Sequence, residues 1–159
     1  IRAEHSISWR RAAILKAYYL RCPHSDVPEE VLQVSLNPDA THVPYLLGRI
    51  FSILETIQEA ANPGINTTIK DRYFNSAAAT PAIIFPTLIA LAQKHLKKLT
   101  GDRPGLAISL NRQLTALLSL LPITTFPARM SLPEQGAFQL GYYHQTQARY
   151  QKKEEPEHV

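Results

Sequence analysis

Hydrophobic residues recur at helical spacing along most of the chain, and the clearest stripe lies between Val43 and Ala61. Its members are three and four residues apart, which predicts one helix with an apolar face turned toward a core. Thr41 precedes the stripe and Pro44 lies in its first turn, as is typical of a helix start. Three charged residues fall on the other faces of this helix and are predicted to be solvated, namely Arg49, Glu55 and Glu59.

The same periodicity predicts further helices separated by turn residues, and no stretch alternates in the way that would predict a strand. Gly101 and Pro122 are expected to end helices. The predicted helices cover residues 7–21, 27–36, 41–61, 69–78, 80–100, 103–121 and 131–153. The chain is therefore predicted to be all-α, a single-domain helical bundle of about five to seven helices over residues 1–153, followed by an acidic, frayed tail at 154–159.

Two of these helices carry recognisable start signals. Thr80 is predicted to be an N-cap, with Pro81 at the first helical position, where a missing N–H costs nothing. Ser131 and Glu134 stand three residues apart ahead of the last helix, a pattern that predicts a capping box.

The stretch that follows the longest stripe is the most distinctive in the chain. Asn62-Pro63-Gly64 predicts a turn that ends the helix, because proline restricts the backbone and glycine can adopt a positive φ. Lys70 and Arg72 then stand beside Tyr73 and Phe74. Cations and rings suit a polyanion with stackable bases. The alternative is that the two rings anchor a short helix to the core and the charges form its solvated side.

Length and composition favour one globular domain. The chain has 159 residues, 45% of them hydrophobic, enough to bury a core without metal or disulfide bonds. Its single cysteine, Cys22, cannot form an internal disulfide, which favours a reducing cytoplasm. The sequence shows no secretory segment and no membrane-spanning run, so we expect a soluble protein. The first residue is Ile1, which indicates a piece of a longer product or a missing start.

The charge distribution is more informative than the net charge of +4. Three of the 13 acidic residues, Glu154, Glu155 and Glu157, lie at the end of the chain, so residues 1–153 carry 17 basic against 10 acidic residues, a net +7. A basic body with a short acidic tail fits a nucleic-acid or acidic-protein partner. Many soluble domains without such a partner are equally basic.

A cationic ridge is predicted at the end of the fifth helix in this series. Lys94, Lys97 and Lys98 are three and four residues apart and therefore share one helix face, with His95 beside them. Lysines near a helix C-terminus also interact favourably with the helix dipole, so a structural explanation stays open.

No motif in the sequence indicates catalysis. A phosphate-binding loop, a zinc-protease motif, a nucleophile elbow and metal-ligand spacing are all lacking, and the six histidines are scattered. Nothing in the sequence brings Asp71 to His42, or Glu134 to His144, as an acid–base pair would require. The protein is therefore predicted not to be an enzyme and to use no cofactor or metal.

Several sequence blocks resemble a known family: Ser35–Asp39, Pro44–Arg49, Ile57–Asn66, Ile69–Phe74 and Gly141–Gln145. They are similar to the C-terminal part of the large subunit of type I-C CRISPR Cascade complexes, the Csd-type family. The resemblance extends from about Trp9 to Lys153. It implies that this region can be made separately, from an internal translation start, as the small subunit of the complex. The length of the chain fits that subunit, and the same region of the full large subunit stays open.

The resemblance also implies a non-catalytic helical bundle in the prokaryotic cytoplasm, on the inner face of a crRNA-guided surveillance complex. The implied partners are crRNA, target DNA including the displaced non-target strand, the Cascade backbone and large subunits, and another copy of the chain itself. A membrane is not among them.

The residues predicted to contact nucleic acid are chosen for their positive charge, and none is transferred from the family. They are Arg10, Arg11, Lys70, Arg72, Lys94, Lys97, Lys98, Arg149, Lys152 and Lys153. A purely structural adaptor, whose lysines are merely solvated, is one alternative. A free-standing DNA- or RNA-binding module is another.

Overall fold

The computed structural model describes residues 10, 13, 14, 17, 18, 21 and 27–154, and for residues 152–154 it describes the backbone alone. The six isolated positions are helical, as predicted. In the continuous part, a short 3-10 helix at Glu29–Val31 precedes five α-helices: α1 Val43–Ala61, α2 Ile69–Ala79, α3 Pro81–Asp102, α4 Pro104–Ser119 and α5 Leu132–Glu154. The described residues contain no strand, and the prediction of an all-α helical bundle is confirmed.

Helix α1 lies at the centre of the bundle. Every residue from Pro44 to Ile57 is buried, and all four of the other α-helices pack against it. Burial on all sides is the pattern of a core helix rather than of an amphipathic surface helix. The stripe seen in the sequence therefore marked only one of the buried faces.

The prediction that Arg49 and Glu55 are solvated is wrong. Their exposed fractions are 6% and 8%, because α5 covers the face on which they lie. Arg49 donates from Nε to Gln145 Oε1 at 3.0 Å, and its Nη1 donates to the carbonyl oxygens of Asn37 and Pro38 at 3.3 and 3.4 Å. A buried guanidinium is thus satisfied by neutral acceptors, and it fixes the loop before α1 against the helices.

Glu55 is accommodated by two hydroxyl groups. Its carboxylate accepts hydrogen bonds from Thr68 Oγ1 at 2.6 Å and from Tyr142 Oη at 2.5 Å. Burial raises the pKa of Glu55 above its ordinary value, although both hydrogen bonds act in the opposite direction. The side chain links α1 to α5 and to the start of α2.

Two glycines allow α1 and α5 to approach closely. A Cβ on Gly48 would overlap the backbone carbonyl of Phe138, and one on Gly141 would overlap that of Tyr45. Contacts along the two helices rise together in residue number, from Tyr45 with His144 to Glu59 with Arg149. The helices therefore run in the same direction along a glycine-lined seam.

Helix α2 returns antiparallel to α1 after the predicted turn, in which Gly64 has a φ of 80°. Thr68 and Asp71 form a capping box at its start. Gln58 Oε1 also accepts a hydrogen bond from the backbone N–H of Ile69 at 2.7 Å. Two side chains of α1, Gln58 and Glu55, thus hold the N-terminus of α2.

An aromatic cluster fills the space between α1, α2 and α5. The rings of Phe51, Phe74, Phe138 and Tyr142 contact one another edge to face at centroid distances of 5.0 to 6.0 Å. Such arrangements add about 0.5–1.5 kcal/mol per pair beyond the area that the rings bury. Phe74 and its neighbour Tyr73 pack on the core, so the structural alternative holds for these two rings.

The predicted helix at 27–36 is wrong beyond Glu29–Val31. The Glu30 carboxylate accepts hydrogen bonds from the backbone N–H groups of Thr41 and His42 at 3.3 and 3.1 Å, at the start of α1. The chain must fold back for Glu30 to reach them, which a longer helix would prevent. Tertiary contact thus replaces local helix formation in this segment.

The helix ends agree in part with the prediction. Ser131 and Glu134 form the expected capping box, with Ser131 N donating to Glu134 Oε2 at 2.6 Å. Thr80 occupies the N-cap position of α3, but its hydroxyl donates to the Ser76 carbonyl at 3.0 Å instead of capping α3. Gly101 does not end α3, which continues to Asp102.

Candidate nucleic-acid interface

The predicted lysine ridge lies on the exposed side of α3. The opposite side is buried through a stripe at helical spacing: Phe85, Leu88, Ala92, Leu96 and Leu99. Lys94, Lys97 and Lys98 fall between these positions and are exposed, as a period of 3.6 residues requires. Burial of the stripe therefore holds three ammonium groups in solvent near the C-terminal end of the helix.

Asn62, the residue after α1, ties the ridge to the end of that helix. Its Oδ1 accepts a hydrogen bond from Lys98 Nζ at 3.0 Å, and its Nδ2 donates to the Gln58 carbonyl at 3.1 Å. Nδ2 also lies 3.3 Å from His95 Nδ1. Burial, assisted by the positive charge of Lys98, lowers the pKa of His95. Both effects favour the neutral form of His95, so the lysines supply the positive charge of this region.

Arg103, between α3 and α4, is a further cation that the sequence analysis missed. Its Nη2 donates to the carbonyl oxygen of Ala60 in the last turn of α1. Carbonyl groups in a last turn lack partners within the helix, and the dipole favours a cation there. The side chain is exposed. Its acceptor lies 43 residues earlier in the chain, so no local pattern could have revealed the contact.

Arg149 of α5, which was predicted, reaches the same end of α1. Its Nη1 donates to Thr56 Oγ1 and to Glu59 Oε2, both at 2.9 Å. The side chains of Arg149 and Glu59 are 30% and 35% exposed. An ion pair at this exposure contributes modestly to stability. Arg149 is thus held in place by the fold while part of it stays accessible.

Together these residues form what we call the cationic edge: Lys94, Lys97, Lys98, Arg103 and Arg149. Three of its members donate to acceptors at the C-terminal end of α1: Arg149 to Thr56, Arg103 to Ala60, and Lys98 to Asn62, the residue after the helix. Of these five cations, Arg149 is the one with a described carboxylate within ion-pair distance. The edge is therefore a concentration of positive charge, which raises the local concentration of a polyanion.

A groove of about 560 Å³ adjoins the cationic edge. It lies between α1, α4 and α5, and its apolar lining includes Ile53, Leu106 and Leu110. Seven polar side chains line the same groove: Ser52, Thr56, Glu59, Arg103, Gln113, Gln145 and Arg149. Two cations of the edge thus also belong to a concave, largely apolar site.

Lys70 and Arg72, the cations predicted in the stretch after the first long helix, lie on α2. Lys70 is half-buried, and its Nζ lies 5.3 Å from the centroid of the Tyr142 ring, a contact worth about 0.5–1 kcal/mol at such sites. Arg72 is exposed. The fold therefore engages the first of these predicted cations and presents the second to solvent.

The remaining predicted residues lie toward the two ends of the chain. Arg10 is helical and exposed. Arg11 lies outside the described residues, and so do the side chains of Lys152 and Lys153. A contact of these residues with nucleic acid stays a prediction.

The acidic groups considered for acid–base chemistry have structural partners. Asp71 Oδ2 accepts from the Thr68 backbone N–H at 2.8 Å, and Glu134 caps α5 as described above. In the part of the chain that the structure describes, no three His, Cys, Asp or Glu side chains are grouped so as to hold a metal ion. Within the same residues, no helix combines the length and apolarity needed to cross a membrane.

The fold and the surface define an all-α bundle with a cationic edge beside an apolar groove. A comparison with protein families matches residues 1–150 to Cas_Csd1, a family of CRISPR-associated proteins. The chain belongs to this family, as the resemblance of its sequence blocks indicated. A comparison with curated proteins found no match.

Proposed function

We propose that the chain is the non-catalytic small subunit of a crRNA-guided type I-C CRISPR surveillance complex. In this proposal it stabilises the R-loop by contacting the guide/target heteroduplex and the displaced non-target strand. Membership of a CRISPR-associated family supports a place in such a complex. The cationic edge is the observation that carries the proposed contact with nucleic acid, because Lys94, Lys97, Lys98 and Arg103 are exposed together.

The energetics of strand exchange make modest contacts sufficient. The heteroduplex formed is about as stable as the DNA duplex that it replaces, so contacts to the backbone can decide the outcome. Each lysine that neutralises a phosphate releases counterions without reading the base sequence. A surface of this kind suits a complex whose sequence specificity comes from the guide RNA.

The proposed partners are crRNA, both target strands, the Cascade backbone and large subunits, and a second copy of the chain. Cleavage belongs to another component, and the chain itself is proposed to have no catalytic activity and no cofactor. The chain could carry out the same contacts as the C-terminal domain of a full large subunit.

A purely structural adaptor is the second candidate. Ile83 on α3 and Ile108 on α4 are 69% and 60% exposed, and exposed apolar side chains favour contact with another protein surface. An adaptor would hold Cascade subunits together through such residues, and its lysines would remain solvated.

The test is the binding of labelled single-stranded DNA by the full chain, measured by fluorescence anisotropy over a range of salt concentrations. The variant Lys94→Gln/Lys97→Gln/Lys98→Gln removes the ridge. For single strands the log–log salt slope is about −0.7 per phosphate contact, so losing three contacts should make it shallower by about 2. The control variant, Arg112→Gln/Arg129→Gln, removes two exposed cations outside the cationic edge and should leave the slope close to that of the wild type.

The same variants should then be assembled into the complex and assayed for R-loop formation on target duplex. Slower or incomplete opening with the ridge variant alone would support the proposed function. Equal R-loop formation by wild-type and ridge-variant complexes, together with no strand binding by the isolated chain, would favour the adaptor.

A further inference from the structure

The groove between α1, α4 and α5 combines an apolar lining with cations held at fixed positions. Thr56 and Ala60, which bind Arg149 and Arg103, are four residues apart on α1. Residues at this spacing lie one above the other on a helix face, about 6 Å apart along the axis. The two guanidinium groups are therefore anchored one helical turn apart beside the same groove.

The polar groups of the groove can recognise a flat heterocycle. The Gln145 side-chain oxygen already accepts from Arg49 Nε at 3.0 Å, so Gln145 presents its N–H groups as donors. The Gln113 amide also lines the groove and is exposed. Amide donors and acceptors suit the edge of a nucleobase, and the apolar side chains Ile53 and Leu106 suit its faces.

The charge of the surroundings favours nucleic acid over an acidic peptide as the occupant. Glu59 is the acidic side chain that lines the groove, and Arg149 neutralises it. Pro63 also lines the groove, and its neighbour Asn62 binds Lys98 of the ridge. Arg103, Arg149 and Lys98 therefore all bind acceptors between Thr56 and Asn62, and a strand with consecutive phosphates can pair with more than one of them.

We propose that this groove binds one unstacked base of a nucleic-acid strand whose phosphates lie on Arg103, Arg149 and the lysine ridge. The inference rests on the proposed function and deepens it, because it adds a base pocket to a surface otherwise proposed to contact only the backbone. The pocket is sequence-tolerant, since its apolar lining accepts the face of any base. A volume of about 560 Å³ lies within the range of known ligand pockets.

The test compares binding of oligothymidine with that of an abasic strand of equal length, using the full chain. The variant Ala148→Leu enlarges a half-buried side chain that lines the groove and leaves its charge unchanged. Insertion of one base is worth about a tenfold change in affinity, so the variant should bind oligothymidine about tenfold more weakly. It should bind the abasic strand as the wild type does. The matched control is Ala116→Leu, at an exposed position of α4 outside the groove.

Arg103→Gln should act differently, because it removes a phosphate contact and leaves the pocket open. It should weaken the binding of both strands and make the salt slope shallower by about 0.7. Leu106→Gln provides a second pocket variant at a position that is already 36% exposed. Leu106→Gln should likewise weaken the binding of oligothymidine and leave the binding of the abasic strand unchanged. Circular dichroism would show whether Ala148→Leu disturbs the fold, in which case Leu106→Gln remains as the test.

The outcomes separate the pocket from the proposed function. Equal losses on both strands, or no loss, in both pocket variants would overturn the base pocket while leaving backbone contact intact. Failure of the wild type to bind either strand, alone and in the complex, would overturn the proposed function itself. Normal strand binding with impaired assembly of the complex would show instead that the groove holds a protein partner, which also overturns the pocket.

Discussion

The two halves of α1 contact their neighbours in different ways. Its N-terminal half lies against α5 along the glycine seam at Gly48 and Gly141, with backbone touching backbone. Its C-terminal part, from Thr56 onward, accepts hydrogen bonds from two cationic side chains, Arg149 at Thr56 and Arg103 at Ala60. The first arrangement determines the packing of the bundle. The second leaves positive charge in solvent, which shows that one helix can organise both the core and a candidate binding surface.

The largest expected effect comes from breaking the seam with Gly48→Ala. The added methyl group would overlap the Phe138 carbonyl and force α1 and α5 apart, so the free energy of unfolding should fall by about 3 kcal/mol. Urea denaturation followed by circular dichroism measures this change. Gly101→Ala is the control, because a Cβ there meets no atom within 4 Å and should stabilise α3 by about 0.5–1 kcal/mol. Similar effects of the two substitutions would contradict the close approach.

A smaller, pH-dependent effect on stability is expected at Glu55, the buried carboxylate of α1 that binds Tyr142 of α5. Burial raises the pKa of Glu55 above its ordinary value of 4.5, so the folded state favours the protonated form. Its contribution to stability is therefore complete below pH 4.5 and is lost as the pH rises through the raised pKa. The free energy of unfolding of the Glu55→Gln variant should therefore rise relative to that of the wild type as the pH is raised from about 4 toward neutrality.

Denaturation at a series of pH values measures the difference between the two proteins. Glu29→Gln, which removes an exposed carboxylate, controls for the change in net charge. A difference that stays constant with pH, or that moves against the variant as the pH rises, would contradict the direction assigned to the Glu55 pKa.

The smallest effect on stability is expected at the cationic edge. Lys94→Gln/Lys97→Gln/Lys98→Gln should change the free energy of unfolding by less than about 0.5 kcal/mol per residue, as is usual for exposed positions. Within the part of the chain that the structure describes, these amines make one hydrogen bond, the exposed one from Lys98 to Asn62. Thermal denaturation of the triple variant and of the wild type measures this difference in stability. A large loss would mean that the lysines cap the helices rather than serve a ligand.

Much of the fold was readable from local pattern. Helical spacing located α1 to α5, and Ser131 with Glu134 correctly marked the start of α5. The lysine ridge was predictable for the same reason, because residues three and four apart share a helix face wherever that helix lies. The failure at residues 27–36 has a nonlocal cause, since Glu30 is recruited to the start of α1.

The candidate site was less predictable than the fold. No local sequence pattern marks Arg103, because its place in the site depends on a hydrogen bond to the Ala60 carbonyl of a different helix. Arg149 was selected for its charge alone, and its pairing with Glu59 follows from the packing of α5 on α1. Lys70 was selected in the same way, and its position over the Tyr142 ring depends on where α2 is held.

The sequence by itself determined that this protein is a bundle of helices with basic residues on solvated faces, and it pointed to the family. These properties follow from periodicity, capping and composition, which act over a few residues. Tertiary structure alone decided that α1 is buried on all sides, that Arg49 and Glu55 lie inside, and that Arg103 and Arg149 meet beside one groove. Burial and the pairing of charges depend on which helices pack together, and that choice is made by contacts between residues far apart in the chain.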